Sequence, residues 1–224
     1  MKIVSKDHLF QLDTAEHPLY KIIIENKAYY RDLIYKLYLL QKGEQSIFYL
    51  FADDKELSFT KKIHLILQPT FVELSDKKSK NKIASQLQTA ITTSTEEDAF
   101  SELLVELNCL ANTVISKSDF RLTYRHDLTI ADIINLFDFR LDSTSGSFVE
   151  NLLEYMLAIR TLENIDHFMI LNLEDYLTET ELKLFYENIL QENLYLIDIE
   201  SRYNSKISDE KLLVIDQDLC VFEG

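Results

Sequence analysis

Metal-assisted hydrolysis needs carboxylates at close quarters, and the first acids of this chain have a suggestive spacing. Asp13 precedes Glu25-Asn26-Lys27. Two carboxylates so placed can hold Mg²⁺ while an acid-x-Lys lysine activates water, as in metal-dependent nucleases. The same acid-x-Lys spacing recurs at Asp53/Lys55, Asp76/Lys78, Glu181/Lys183 and Asp209/Lys211. With 38 acids and 23 bases in 224 residues, about four such pairs arise by chance. The pattern carries little weight for catalysis.

Other chemistries lack their parts. Nucleotide-binding turns need glycines where backbone N–H groups wrap phosphate, but Gly43, Gly146 and Gly224 are the only glycines and none has that context. Neither a P-loop nor a Rossmann fingerprint is present. The five histidines (His8, His17, His64, His126, His167) form no H-E-x-x-H, and no G-x-S-x-G occurs. His64 and His167 lie in apolar strand segments and read as core histidines. Cys109 and Cys220, far apart among apolar neighbours, read as reduced core residues.

Two groups of charged residues could contact a ligand. The densest basic stretch holds Lys55, Lys61, Lys62, Lys77, Lys78, Lys80 and Lys82 against Glu56, Glu73 and Asp76. Lysines without interleaved aromatics suit the phosphate backbone of duplex DNA better than stacking on single strands. No Arg/Asn/Gln recognition helix accompanies them, so readout of base sequence is not indicated. Further on, Asp119, Asp127 and Asp132 could supply oxygen ligands to a hard divalent ion such as Ca²⁺. No EF-hand spacing is present. The cluster Glu96-Glu97-Asp98, with Glu102 and Glu106, reads as a favourable helix start and a solvated face.

These residues must be positioned by long, regular elements, since 3 Gly and 2 Pro leave few tight turns. Net charge is −15, unevenly spread: residues 1–92 hold 14 bases and 11 acids, the rest 9 and 27. Hydrophobic periodicity predicts strands at 2–12, 20–26, 46–51 and 63–67, with a helix over 29–41 stopped by Gly43. Helices follow at 79–91 and at 95–115, the second opened by a Thr95/Asp98 box. Next come a strand at 120–124, a helix from Thr129 to Phe137 and a strand at 139–142. Ser147 caps a further helix through Ile159. Strands at 167–173, 194–199, 211–215 and 219–222, with a helix over 178–193, complete the pattern. Strand–helix alternation predicts an α/β sheet covered by helices. The mainly helical stretch 76–144 interrupts it and reads as a leg inserted in a head made of 1–75 and 145–224. No signal peptide and no transmembrane run is visible, which makes cytoplasmic the expectation.

The C-terminal third carries a resemblance. Residues 162–200, LENIDHFMILNLEDYLTETELKLFYENILQENLYLIDIE, resemble the Csn-two family, accessory proteins of type II-A CRISPR loci. The strand, the Leu-Thr-x-x-Glu-Leu turn into a helix, its Phe-Tyr-Glu and the Leu-x-Leu-Ile-x-Ile-Glu strand match in order and spacing. Weaker echoes are Leu110-Ala111-Asn112-Thr113, the segment 130–141 and the opening strand–strand–helix.

The resemblance implies a P-loop-kinase-like α/β head without a nucleotide site, carrying a protruding helical leg. It implies ring-shaped homotetramers, stabilised by Ca²⁺, that admit linear double-stranded DNA ends through a lysine-lined hole. It further implies antiviral spacer acquisition beside the other CRISPR adaptation proteins and the effector nuclease. On this reading the chain is no enzyme, and Lys61, Lys62, Lys77, Lys78, Lys80 and Lys82 contact phosphates. In place of the family's longer acidic loop, 116–126 is short and holds Arg121, Arg125 and Asp119. Asp119 and Asp127 are then the calcium-ligand candidates. The alternatives are the nuclease built on Asp13, Glu25 and Lys27, and an acidic protein-interaction scaffold without DNA affinity.

Overall fold

The computed structural model describes residues 1–53, 55–73, 77–93, 97–139, 146–203 and 210–224, at 77, 78 and 97 by the backbone alone. The chain divides into two compact units, Met1–Val72 with Ser143–Gly224, and Glu73–Asp142.

The first unit opens with strands β1 (Lys2–Ser5), β2 (Gln11–Asp13) and β3 (Leu19–Ile24), followed by helix α1 (Lys27–Gln41). β4 (Phe48–Ala52), β5 (Lys55–Leu57), a 3-10 turn at Phe59–Lys61 and β6 (Ile63–Ile66) come next. The second unit holds α2 (Lys77–Thr92), α3 (Glu97–Ser116) and α4 (Ile130–Phe137). The first unit resumes with α5 (Phe148–Glu163), β7 (His167–Leu171), α6 (Glu179–Gln191), β8 (Tyr195–Glu200), β9 (Lys211–Ile215) and β10 (Val221–Glu223).

Two sheets form. A four-stranded antiparallel sheet runs β2-β1-β4-β5, and a six-stranded sheet runs β10-β9-β3-β8-β7-β6, parallel except for β10. β3 lies at the centre with all six residues buried, which is why its sequence, Leu-Tyr-Lys-Ile-Ile-Ile, shows no apolar–polar alternation. Successive side chains of a strand point to opposite faces. One face (Tyr20, Ile22, Ile24, Ile197, Ile199) joins a core with Leu33, Leu37 and Leu40 of α1 and Ile3, Leu12 and Leu50 of the small sheet. The other lies under α5 and α6, which reach it through Tyr155 on His64 and Tyr186 on Asp198.

Local chemistry sets the helix ends. Asn26 caps α1, and past its end Gly43, at φ +92°, turns so that its N–H and that of Glu44 reach the carbonyls of Leu40 and Leu39. Ser147, Thr129 and Thr178 each complete a capping box with the acid three residues on.

Several expectations are corrected. The long first strand is a hairpin, β1 and β2, because His8 sits at φ 59° and turns the chain back. Residues 120–124 form no strand: they have no partner strand, and Phe120 and Leu122 are exposed. Cys109 and Cys220 are exposed free thiols, one on the open side of α3 and one in the turn before β10. The Thr95 box and most of 139–142 lie outside the described residues.

Candidate functional site

The six lysines fall in both units. Lys61 and Lys62 end the 3-10 turn after β5, and both are exposed. Lys77, Lys78 and Lys80 open α2, whose first turn contains no acid. Cations at a helix N-terminus oppose the helix dipole, so the fold of α2 gives no reason for them to be there. Lys80 is already engaged, 2.7 Å from Asp138 Oδ1 beside a cavity of about 320 Å³ between α2 and α4. Lys82 is half-buried.

The acids proposed for calcium meet a competitor. Arg125 donates to both carboxylate oxygens of Asp132 at 2.9 and 2.8 Å, and to Asp127 Oδ1 at 3.2 Å. Hydrogen bonds from Thr129, then from Arg125, hold the Asp132 carboxyl below its usual range. The positive charge these acids accept is therefore the chain's own guanidinium. Asp119 is exposed. Among the described residues no group of three or more His, Cys, Asp or Glu could hold a metal ion. As arranged, Asp127 and Asp132 are engaged by Arg125.

Of the nuclease candidates, Asp13 has a structural occupation. Asp13 ends β2, with the chain's amino group 3.7 Å away and the Ala15 N–H on its Oδ1 at 3.1 Å. The Glu25 carbonyl accepts from Gln217 at 2.7 Å, and the Asn26 amide donates to the Gln217 carbonyl at 2.7 Å. The Asn26 side chain also accepts from the N–H groups of Ala28 and Tyr29 at 3.1 and 2.9 Å. Those are donors a phosphate would need at the start of a helix following a central strand. Lys27 opens α1 and is exposed.

The residues that sequence reasoning passed over form a buried cluster of charge. Lys21 of β3 stands in register with Asp198 of β8. Its fully buried ammonium contacts Glu174 and lies 3.7 Å from Glu210. Tyr186 donates to Asp198 at 2.9 Å, and the Glu174 N–H donates to Glu200 at 2.8 Å. Burial alone would lower the Lys21 ammonium, but the Glu174 hydrogen bond and the charges of Glu210, Glu174 and Asp198 hold it above its ordinary value. Burial pushes Asp198 up to about 7 and Glu200 up to about 9, and a side-chain hydrogen bond joins the two carboxyls. A signal was available: a lysine inside Tyr-Lys-Ile-Ile-Ile and two acids inside Leu-Ile-Asp-Ile-Glu have no access to water on a central strand, so they must meet one another.

Another polar chain ties the two sheets. Asp166 Oδ1 is 2.6 Å from His167 Nδ1, and His167 Nε2 is 2.9 Å from Thr14 Oγ1. The order matches a nucleophile–base–acid relay. However, Thr14 is buried and its hydroxyl also donates to the Met1 carbonyl at 3.2 Å. The arrangement is a structural tie.

At the turn from β3 into α1 the Asn26 side chain takes up the N–H donors of the helix start. The model of the family described as CRISPR-associated protein (Cas_Csn2) matches residues 41–219, well over half of the chain. The chain belongs to that family, whose members act in CRISPR adaptation as non-catalytic adaptors. The nuclease reading falls with that assignment. No curated protein matches the chain. No helix among the described residues is long and apolar enough to cross a membrane.

Proposed function

We propose that the chain serves CRISPR spacer acquisition as a cytoplasmic, ring-shaped homotetramer that binds double-stranded DNA ends without reading sequence. One observation carries this reading: lysines crowd the first turn of α2, against the helix dipole and with no acid in that turn. Phosphate is the ligand that repays such an arrangement, and Lys61 and Lys62 offer two more exposed ammonium groups. Lys80 joins only by releasing Asp138, and calcium would reach Asp119 and Asp127 only if Arg125 let Asp127 go. The larger sheet is read as a P-loop-kinase-like head whose nucleotide turn has been closed by Asn26 and Gln217.

The test is a gel shift with linear and closed-circular duplexes, in Ca²⁺, in Mg²⁺ and in chelator. Binding to linear DNA alone, without cleavage, is expected. Charge reversal of Lys61, Lys62, Lys77, Lys78 and Lys82 should abolish it while the thermal unfolding curve is kept. Unchanged binding in that variant removes the lysine assignment. Equal binding to circles removes the ring, and no binding to any DNA leaves an acidic scaffold.

A further inference from the structure

Helix α1 has a second face that the core does not use. Leu33, Leu37 and Leu40 are buried. On the opposite side, at 100° per residue, positions 27, 31, 35, 38 and 42 fall within an arc of about 80°. They are Lys27, Arg31, Tyr35, Tyr38 and Lys42, and all five are exposed. Every position in that arc is a base or a tyrosine. The nearest acid of the helix, Asp32, lies outside it and is paired with Lys36 at 2.5 Å.

Local structure does not account for this composition. An exposed helix surface favours Ala, Glu, Lys or Gln over tyrosine, yet Tyr35 is 60% and Tyr38 48% exposed. Lys27 occupies the first turn of the helix, where the dipole disfavours cations and no acid is present, and Arg31 follows one turn on. Lys42 Nζ stands 5.5 Å from the Tyr38 ring centroid, a cation–π contact that orients one ring of the stripe. Three cations without an acid, on a chain of net charge −15, mark a surface complementary to a polyanion.

The interleaved rings narrow the polyanion down. The interior of a duplex offers phosphates but hides the faces of its bases. A single strand offers both, and proteins that hold single strands combine cations along the backbone with aromatic rings under the bases. The stripe is about 22 Å long, and Tyr35 and Tyr38 are offset by about 4.5 Å along the axis. Stacked nucleotides repeat at about 3.4 Å, so neighbouring bases can meet the two rings. We propose that the Lys27–Arg31–Tyr35–Tyr38–Lys42 face of α1 binds single-stranded nucleic acid, with bases stacked on the tyrosines and phosphates on the three cations. Four of these five residues precede residue 41, where the family match begins. The proposal uses none of the lysines assigned to duplex DNA.

Fluorescence anisotropy on the full chain tests it, with a labelled 12-residue oligothymidylate, the matching oligouridylate and a blunt duplex as probes. The wild type should bind the single strands, the tighter of the two showing whether DNA or RNA is preferred. Tyr35→Ala/Tyr38→Ala should weaken that binding about tenfold or more and leave duplex binding unchanged. Tyr35→Phe/Tyr38→Phe should retain it, because the ring does the stacking. Lys27→Gln/Arg31→Gln/Lys42→Gln should weaken it and flatten its salt dependence. Absence of single-strand binding by the wild type overturns the proposal. So does loss in the lysine and arginine variant with none in the alanine pair, which would mark a purely electrostatic patch. If the alanine pair instead lowers the mass measured by light scattering and single strands do not bind, the stripe is an interface between copies. Charge reversal of the α2 lysines should leave single-strand affinity intact, so this reading and the duplex reading fail separately.

Discussion

The two units of this chain treat burial in opposite ways. The α/β unit encloses so much that even charge is inside it: Lys21, Asp198, Glu200 and Glu210 are all buried. Between Glu73 and Asp142, by contrast, the buried side chains among the described residues are Ser79, Ile133 and Ile134. There the apolar groups stand outside, with Val105, Leu110, Val114, Leu136 and Phe137 all more than half exposed. A small unit has too much surface for its volume to build a full core. The α/β unit is therefore held by its own interior, whereas the described residues of the helical unit bury few side chains. The difference also separates roles, since charges locked inside cannot touch a ligand.

The sharpest way to break the comparison is to remove the cation at the centre of the buried network. Lys21→Met fills a similar volume but leaves Glu174 and Glu210 without their ammonium partner. Breaking a buried pair from one side typically costs about 3–5 kcal/mol, and urea unfolding should show a loss of that order. Adding Glu174→Gln and Glu210→Gln to Lys21→Met should restore part of it. A loss below about 1 kcal/mol would mean that water reaches the network.

The same network predicts how stability follows pH. Asp198 and Glu200, pushed up by burial to about 7 and about 9, hold their protons more tightly in the folded chain than in the unfolded one. Their contribution is fully present below the unfolded value of about 4. It is lost as pH rises through the folded values, because there the folded state binds the extra protons. Lys21, held above its ordinary value, stays charged across this window. The melting temperature should therefore fall between about pH 5 and about pH 9. Asp198→Asn/Glu200→Gln should flatten the slope, and an equal slope in that variant would move its origin elsewhere.

Legibility in the sequence followed the same division. Periodicity and caps located α1, α5 and α6 and the strands β3, β7, β8 and β9 within a few residues, because each buries a regular set of side chains and Ser147 and Thr178 mark their starts. Where burial is slight the signal failed. Residues 120–124 have strand-like composition but no neighbour to pair with, and β5, three residues long and mostly exposed, gave no pattern at all. Contacts between distant segments were also out of reach. Nothing in the spacing joins Lys21 to Glu174 or Thr14 to His167, since Glu174 lies in a turn after β7 and Thr14 and His167 meet across two different sheets. Arg125 was read as a departure in a loop, and only three-dimensional placement shows it on the acids proposed for calcium.

The smallest expected effect lies on α3. None of its side chains from 98 to 116 is buried, although Leu103, Val105, Leu110 and Val114 are among them. Substitutions at core leucines usually remove about 2–5 kcal/mol, whereas surface changes usually stay within about 0.5 kcal/mol. Leu110→Gln/Val114→Gln keeps good helix formers at position 110 and improves on valine at 114. At low protein concentration its unfolding curve should therefore overlay that of the wild type. As concentration rises, the wild type should gain stability that the variant does not, because a surface covered only in an assembly stabilises by mass action. Two curves that coincide at every concentration would mean that no assembly covers these side chains. A large loss in the dilute sample would instead show that the helical unit possesses the core that the present comparison denies it.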